Sequence, residues 1–363
     1  MKILMAASCP SDPNLGVPGV MHSLARQWRD LGHEVRMRFR DRPGRVGEIL
    51  FGTRLACCAD ARWADVVDCH AVEAWPLVWT PGRAVVVARS HGLEIGVHRR
   101  LVESRDRGEA RISRIYWTYR GSVRLFQERR SIRSADLSLL LNQRDFEVCR
   151  DEFRADPSRL HLVRNGFPSE FLEVPLERVE PSLLFVGSWI ERKGCDLLAK
   201  SLGRILEAVP GLKVRLAGTG IPDDQVRADF PGEIGDRLEI VGRFRRDQLP
   251  SLARDRPILL FPSRSEGAPL SLIECMALGT VPVASSIPGV VELVRDGRDG
   301  LLFPSGDVDA FVAKVVDLAK NPARLDAMRL AARDRVRDFS WQTVARDQID
   351  LFSKALVAKG RSR

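Results

Sequence analysis

Ser265-Glu266-Gly267-Ala268-Pro269-Leu270-Ser271-Leu272-Ile273-Glu274-Cys275-Met276-Ala277-Leu278-Gly279 follows the apolar run Ile258-Leu259-Leu260-Phe261. That run reads as a buried strand, so Glu266 falls in the loop at a strand's carboxyl end. Proline suits the first helical position, which starts the next helix near Pro269. The free backbone amides of that helix, and the positive end of its dipole, suit a phosphate. Glu274 sits early in the same helix. Two carboxylates flanking an amide-rich turn can grip sugar and ribose hydroxyls around a diphosphate. Spacing alone leaves a plainer alternative open, in which Glu266 is a loop charge and Glu274 a dipole-favoured surface residue.

The same strand–loop–helix arrangement recurs upstream. Val186-Gly187-Ser188-Trp189-Ile190-Glu191-Arg192-Lys193-Gly194 follows a strand at 183–186 and precedes a helix over 195–208. Lys193 offers a point charge to a phosphate and Arg192 a planar fork. Taken alone, a lysine beside a glycine is usually a solvated turn residue. Arg89-Ser90-His91-Gly92-Leu93-Glu94 ends a strand at 84–88, so His91 opens onto a sheet's carboxyl edge and can donate to a substrate oxygen. Most lone histidines are structural, and His91 is one of six. Gly16-Val17-Pro18-Gly19 reads as a loop where backbone can approach a ligand closely.

Short apolar strands alternate with helical patterns along all 363 residues, which predicts α/β architecture with parallel sheets. The first series has strands at 3–7, 35–39, 65–69, 84–89, 136–141 and 159–164. Val20, Leu24, Trp28 and Leu31 keep helical spacing in it, and Arg36, Arg38 and Arg40 give the second strand one wet face. Around 174–181 the chain turns rich in proline and glutamate, and a second series begins. Its strands fit 183–186, 213–217, 237–241, 258–261, 281–284 and 300–303, with closing helices over 307–320, 323–338 and 340–359. The expected domains are 1–175 and 176–338, two Rossmann-like doubly wound units facing across a ligand cleft. A terminal helix and tail at 339–363 is expected to cross back to the first.

Composition narrows the class. Hydrophobic residues make 44% and charged residues 29%, as in ordinary globular chains, and no apolar run is long enough to span a bilayer. Seven cysteines show no CxxC pair and no zinc spacing, so most are expected to be small buried hydrophobes in a reducing, cytoplasmic compartment. Lysine plus arginine is 57 against 48 acidic residues, a net charge of +9, which favours anionic partners. Neither GxxxxGK[ST] nor GxGxxG is present, removing the best support for NTPase and dinucleotide-oxidoreductase readings. Asp307-Val308-Asp309 has an acid-x-acid form, but Asp307 fits a helix N-cap and Asp309 a first turn.

As a set, these elements resemble the retaining glycosyltransferases of family 4, which have the GT-B fold. The order Gly16 loop, His91-Gly92, Asn165-Gly166, Gly187…Lys193-Gly194, Gly218-Thr219-Gly220, Val241-Gly242, Glu266-x7-Glu274 and Pro288-Gly289…Gly300-Leu301-Leu302 is the family's. The resemblance is dense over about 181–320 and thinner before it. It implies a hexosyltransferase acting on a nucleotide-diphosphate sugar, of UDP or GDP type, with no cofactor and no metal. On this resemblance Glu266 holds the donor sugar's hydroxyls and Glu274 the nucleotide ribose. Lys193 neutralises the leaving diphosphate with help from the amides around Gly267, Ala268, Pro269 and Leu270. Gly16 approaches the diphosphate, and His91 faces the donor sugar. Anomeric configuration is kept by front-face displacement, and fixed cations and amides do most of the catalysis.

One position departs from the family, which usually carries an arginine where this chain has Ser188. A lost charge-assisted contact costs roughly 1.5–3 kcal/mol, or about one to two powers of ten in rate. Arg192 and Arg243 are the candidate replacements. A same-fold alternative is a non-hydrolysing nucleotide-sugar epimerase, and Ser188 also admits a degenerate, non-catalytic sugar-nucleotide binder. The hydroxyl acceptor is expected to be a lipid-linked glycan, a polysaccharide precursor or a small metabolite. Residues 98–133 are densely basic, with Arg99, Arg100, Arg105, Arg107, Arg111, Arg114, Arg120, Arg124, Arg129, Arg130 and Arg133. Within them Ile112, Ile115, Tyr116, Tyr119, Val123 and Phe126 form a helical apolar stripe, and projection at 100° per residue puts Arg114, Trp117 and Arg124 on the far side. That outer face is read either as a solvated basic surface or as peripheral contact with an anionic membrane. No nucleic acid is expected, because no recognition motif accompanies the charge.

Overall fold

In the computed structural model the apolar run Ile258–Phe261 is a buried central strand of a six-stranded parallel sheet. The structure describes residues 1–40, 45–79, 82, 84–106, 108, 111–230 and 234–360; Arg107 of the basic segment lies outside them. The chain divides into two compact units, Met1–Arg164 with Trp341–Arg363, and Asn165–Ser340. The division falls earlier than 175 because Phe167 and Phe171 are buried in the second unit's core.

The first unit has strands β1 (Lys2–Ala7), β2 (Glu34–Phe39), β3 (Val66–His70), β4 (Val85–Arg89), β5 (Leu137–Leu140) and β6 (Leu160–Leu162). All pair in parallel, in the order β2-β1-β3-β4-β5-β6. Strands β3 to β5 are buried almost throughout with no alternation, as two covered faces require, although β3 carries Asp68 and β4 carries Arg89. The helix Gly16–Asp30 buries Val20, Leu24 and Trp28 as the spacing predicts. Leu31 is exposed, since the helix ends just before it. Gly16, Pro18 and Gly19 do not form a loop. They are the helix's first turn, where proline's missing N–H and glycine's lack of a side chain are tolerated.

The last helix, Trp341–Ala358, belongs to this first unit. Trp28 Nε1 donates to the Ala345 carbonyl at 3.3 Å, and its ring meets Phe352 edge-on at 5.4 Å. Gln348 accepts from Arg89 at 2.8 Å, and Lys359 pairs with Asp136 at 2.6 Å. Arg89 is itself clamped by Asp68, both being buried, so a charged network ties β3, β4 and the C-terminal helix together.

The basic segment folds differently from its projection. The chain winds as a π-helix over Tyr116–Arg124 before an α-helix at Leu125–Ser134. Wider i→i+5 winding rotates each side chain away from its 100° position. Arg124 is therefore buried, pairing with Glu94 at 2.6 Å, while Ile115, Val123 and Phe126 are exposed. Trp117 stays outside, with the Arg105 guanidinium 5.3 Å from its ring centre. The cysteine expectation also needs correction: Cys69, Cys149 and Cys275 are buried, but Cys57 is exposed and Cys9, Cys58 and Cys195 are half-buried, all of them free thiols.

The second unit has strands β7 (Leu183–Val186), β8 (Val214–Ala217), β9 (Leu238–Val241), β10 (Ile258–Phe261), β11 (Val281–Ser285) and β12 (Leu301–Phe303). Their order is β12-β11-β10-β7-β8-β9, all parallel, so the order reverses between β7 and β10. Helix Cys195–Ala208 buries Leu197, Leu198, Leu202, Ile205 and Leu206 on one face of the sheet. Leu272, Ile273, Cys275 and Met276 of helix Leu270–Ala277 cover the other. Asp307 caps the helix Val308–Ala319 by accepting from the Ala310 amide at 2.9 Å. No helix among the described residues is long and apolar enough to cross a membrane.

Candidate functional site

In an open doubly wound sheet, ligands bind beyond the strands' carboxyl ends where strand order reverses. In the second unit the loops at that point are 187–194 after β7 and 262–269 after β10. Lys193 Nζ lies 2.6 Å from Glu266 Oε1, with side chains only 14% and 9% exposed. Residues 73 positions apart in sequence thus form one close ion pair.

The two loops are fastened by more than this pair. Arg264 donates its amide to the Arg192 carbonyl at 2.9 Å, and its guanidinium reaches Glu191 at 2.9 Å and Asp196 at 2.6 Å. Gly194 takes φ +79°, and a Cβ there would lie 2.3 Å from the Pro262 carbonyl oxygen, so only glycine lets the loops close to this distance. Lys193 runs past Gly187, and its ammonium stands 5.7 Å from the centre of the Phe261 ring. An ammonium has three N–H donors, and Glu266 takes one.

Helix Leu270–Ala277 begins beside Pro269, as expected, with Pro269 at the N-cap and no side chain capping it. Its first-turn amides therefore lack intrahelical acceptors and carry the dipole's positive end beside Glu266. The turn is fixed from two sides. Asn165, buried, donates to the Ala268 carbonyl at 2.8 Å, and Gly289 (φ +79°) abuts the Gly267 backbone so closely that a Cβ would clash.

Glu274 does not join the Lys193–Glu266 pair. It is buried on the next turn of the helix, and its Oε1 accepts from Nε of Arg246, with Nη2 in ion-pair contact with the same oxygen. Burial pushes its carboxyl above the usual carboxylate range, with Arg246 opposing the rise. Arg192 is half out in solvent, yet donates to the Ser265 carbonyl at 3.0 Å and lies 3.6 Å from Glu266. Ser188 is exposed at the carboxyl edge of β7. Arg243 is exposed just past β9, the outermost strand on that side.

In the first unit, His91 follows β4 and stacks on His70 with ring centres 5.8 Å apart and planes within 5°. Burial, then His70 and Arg89, hold His91 well below the usual histidine range. His70 is different. Burial opposes its charge, but Glu73 at 3.1 Å prevails and raises it. Glu73 also accepts from Ser8, just past β1. Gly16 lies at the start of its helix, and a Cβ on it would meet open space. His70, Glu73, Arg246, Asn165 and Arg264 carry parts of these clusters that motif spacing did not single out as site residues. Asn165 was visible as part of an Asn-Gly step; the others are polar residues whose partners lie on different elements.

Residues 180–321 match the family model described as Glycosyl transferases group 1. A D-inositol 3-phosphate glycosyltransferase of Kribbella flavida is 27% identical over 253 residues, 64% of this chain and 60% of the relative. An alpha-maltose-1-phosphate synthase of Mycolicibacterium smegmatis is 27% identical over 260 residues, 62% of this chain and 65% of the relative. The match thus spans less than two thirds of either relative's length. Among solved structures, sucrose-phosphate synthase from Thermosynechococcus elongatus superposes with TM-score 0.78 at 19% identity, covering 99% of this chain and 100% of that one. The Anabaena HepE protein, in complex with UDP and glucose, gives TM-score 0.68 at 15% identity, covering 98% and 100%. The fold is GT-B, built of two Rossmann-like units.

Proposed function

We propose that the chain, whose residues 180–321 match the family model described as Glycosyl transferases group 1, moves a hexose from a nucleotide-diphosphate sugar, of UDP or GDP type, to a hydroxyl acceptor with retention. The observation that carries this is the Lys193–Glu266 pair beside the uncapped start of helix Leu270–Ala277, at the reversal point of the second sheet. Lys193 and the amides of the 267–270 turn take the diphosphate. Glu266 accepts from donor-sugar hydroxyls, Glu274 from the ribose, and Arg192 stands in for the arginine that Ser188 replaces. Gly16 and His91 serve the same reaction from the carboxyl edge of the first unit's sheet. His91 acts as a neutral imidazole, since its charge is disfavoured.

In the transfer, the bond between the anomeric carbon and the diphosphate oxygen breaks while the acceptor oxygen bonds to the same face of that carbon. The acceptor's proton passes to a leaving phosphate oxygen. Charge grows on the diphosphate as the bond stretches, so fixed donors aimed there lower the barrier without reorganising. No metal ion is assigned a part.

Product analysis tests this. A new glycosidic linkage that disappears in Lys193→Ala and Glu266→Ala supports it. An altered free sugar nucleotide would make the chain an epimerase instead, and tight donor binding without turnover over a broad acceptor set would make it a non-catalytic binder. For the acceptor we propose a lipid-linked glycan met at an anionic membrane. The support is the exposed apolar side chains Ile115, Val123 and Phe126 beside exposed Arg114. Arg114→Glu with Phe126→Ser should weaken binding to anionic vesicles; unchanged binding would leave that surface merely solvated.

A further inference from the structure

His91 is the side chain of the first unit given a part in the transfer, and the residues around it fix both its backbone and its ring. Ser90 donates its amide to the Leu139 carbonyl at 2.9 Å, Ser90 Oγ accepts from the Gly92 amide at 3.1 Å, and the Glu94 amide donates to Glu128 at 2.9 Å. One face of the ring is covered by His70, the last residue of β3, with centres 5.8 Å apart and planes within 5°. Neither ring nitrogen of His91 has a hydrogen-bond partner among the described residues, which leaves the ring's edge for a substrate oxygen.

His70 is held in turn. Its Nδ1 lies 3.1 Å from Glu73 Oε2, and the other oxygen of Glu73 accepts from Ser8 Oγ, just past β1. Burial opposes the charge of Glu73, but His70, Ser8 and Arg124 outweigh it. The ends of β1, β3 and β4 thus feed one line of contacts, from Ser8 to Glu73 to His70 to His91.

A carboxylate at Nδ1 favours the imidazolium of His70, and a charge stacked on a second imidazole disfavours another proton there. Burial works the same way on His91, and Arg89 adds to it. Four further charged groups surround the pair: Glu94, which opens helix Glu94–Asp106, Arg124, Glu128, and Asp68, which is taken up by Arg89. The Cys9 and Cys69 thiols near Glu73 are pushed up by burial and stay neutral. A neutral imidazole can donate to one sugar oxygen and accept from a hydroxyl, whereas an imidazolium can only donate.

We propose that His70 is a positioning residue for the transfer: Glu73 anchors its ring, and that ring holds His91 in one plane at the carboxyl edge of the first sheet. This rests on the part given to His91 in the hexosyl-transfer reading.

The experiment is an NMR titration of the full chain labelled with [13C]histidine, the His91 signal being assigned by its loss in His91→Gln. Wild type, Glu73→Gln and His70→Phe are compared, with thermal unfolding to establish that each folds. Glu73→Gln keeps a hydrogen-bonding group of the same size against His70 and Ser8 but no charge. His70→Phe keeps a flat ring but no proton, and either variant carries the test without the other. Wild-type His91 should stay neutral well below the pH at which a solvated histidine titrates. In both variants its midpoint should rise by about one pH unit or more. The acid limb of the pH–rate profile should rise with it, measured with whichever of UDP-, GDP- and ADP-glucose turns over. A His91 midpoint unchanged in both variants overturns the inference, because a merely structural His70 would lower Tm without moving that titration. A wild-type His91 already charged at about pH 6 overturns it too. Turnover of none of the three donors by wild type overturns the hexosyl-transfer reading, and the part of His70 in it, whatever the titration shows.

Discussion

Replacing Lys193 by methionine keeps the aliphatic stem that passes Gly187 and removes only the ammonium. Glu266 would then be left 9% exposed with Arg192 as its nearest cation, 3.6 Å from Oε1. Breaking a buried pair by deleting one partner costs about 3–5 kcal/mol. Arg192 recovers part of this, so we expect Lys193→Met to cost about 2–3 kcal/mol. For a unit of this size each kcal/mol lowers Tm by about 2–4 °C, giving a fall of about 4–12 °C. Glu266→Gln should cost less, because the freed ammonium is the more exposed partner and can turn to water. The assay is a double-mutant cycle by thermal or denaturant unfolding. Lys193→Met/Glu266→Gln should be no worse than Lys193→Met alone, with a coupling energy above about 1 kcal/mol. Additive losses would mean that the two groups do not form one unit, and the pre-formed site would lose its basis.

Three further outcomes follow from the packing. Gly194→Ala forces a side chain into φ +79° and against the Pro262 carbonyl; it should destabilise by about 2 kcal/mol or more and weaken nucleotide binding, and an unchanged Tm would refute the close loop contact. Glu128 is buried, accepts from the Glu94 and Ile95 amides, and has its pKa raised by burial from 4.5 to about 7. Its stabilising contribution is complete below the unfolded value near 4.5 and is lost as pH rises through 7, up to about 3 kcal/mol. Glu128→Gln should therefore gain stability relative to wild type at pH 8 compared with pH 5 in denaturant titrations, and a parallel pH dependence in both proteins would contradict this. Arg89→Met strips the buried Asp68 of its partner and should cost about 3–5 kcal/mol; a double variant Arg89→Met/Asp68→Leu should recover most of it.

The strands were legible because covered parallel strands are apolar throughout. Leu183–Val186 and Ile258–Phe261 fall where the sequence puts them, and helix Cys195–Ala208 has the predicted limits. The loops after those strands were legible through Lys193-Gly194 and the Glu266-to-Glu274 stretch. Polar partnerships were not, because they have no period. Glu274 and Arg246 are 28 positions apart, and Arg89 and Gln348 are 259 apart. An arginine in the run Arg243-Phe244-Arg245-Arg246 looks solvated until the fold lays it on a buried carboxylate. The basic segment failed for a different reason. Its projection assumed α-helical winding, and the π-helix Tyr116–Arg124 turns Arg124 inward and Val123 outward. The terminal helix was visible as a helix, but its seat on Trp28, through the Phe352 ring and the Ala345 carbonyl, depends on tertiary packing alone.

A crystal structure of the chain with bound nucleotide sugar decides whether the sugar nucleotide sits on the second unit where its strand order reverses. Diphosphate oxygens should lie within roughly 3 Å of Lys193 Nζ and of the amides opening helix Leu270–Ala277, with the ribose on Glu274. A nucleotide sugar bound elsewhere on the chain, with Lys193 and Glu274 untouched, would contradict this placement.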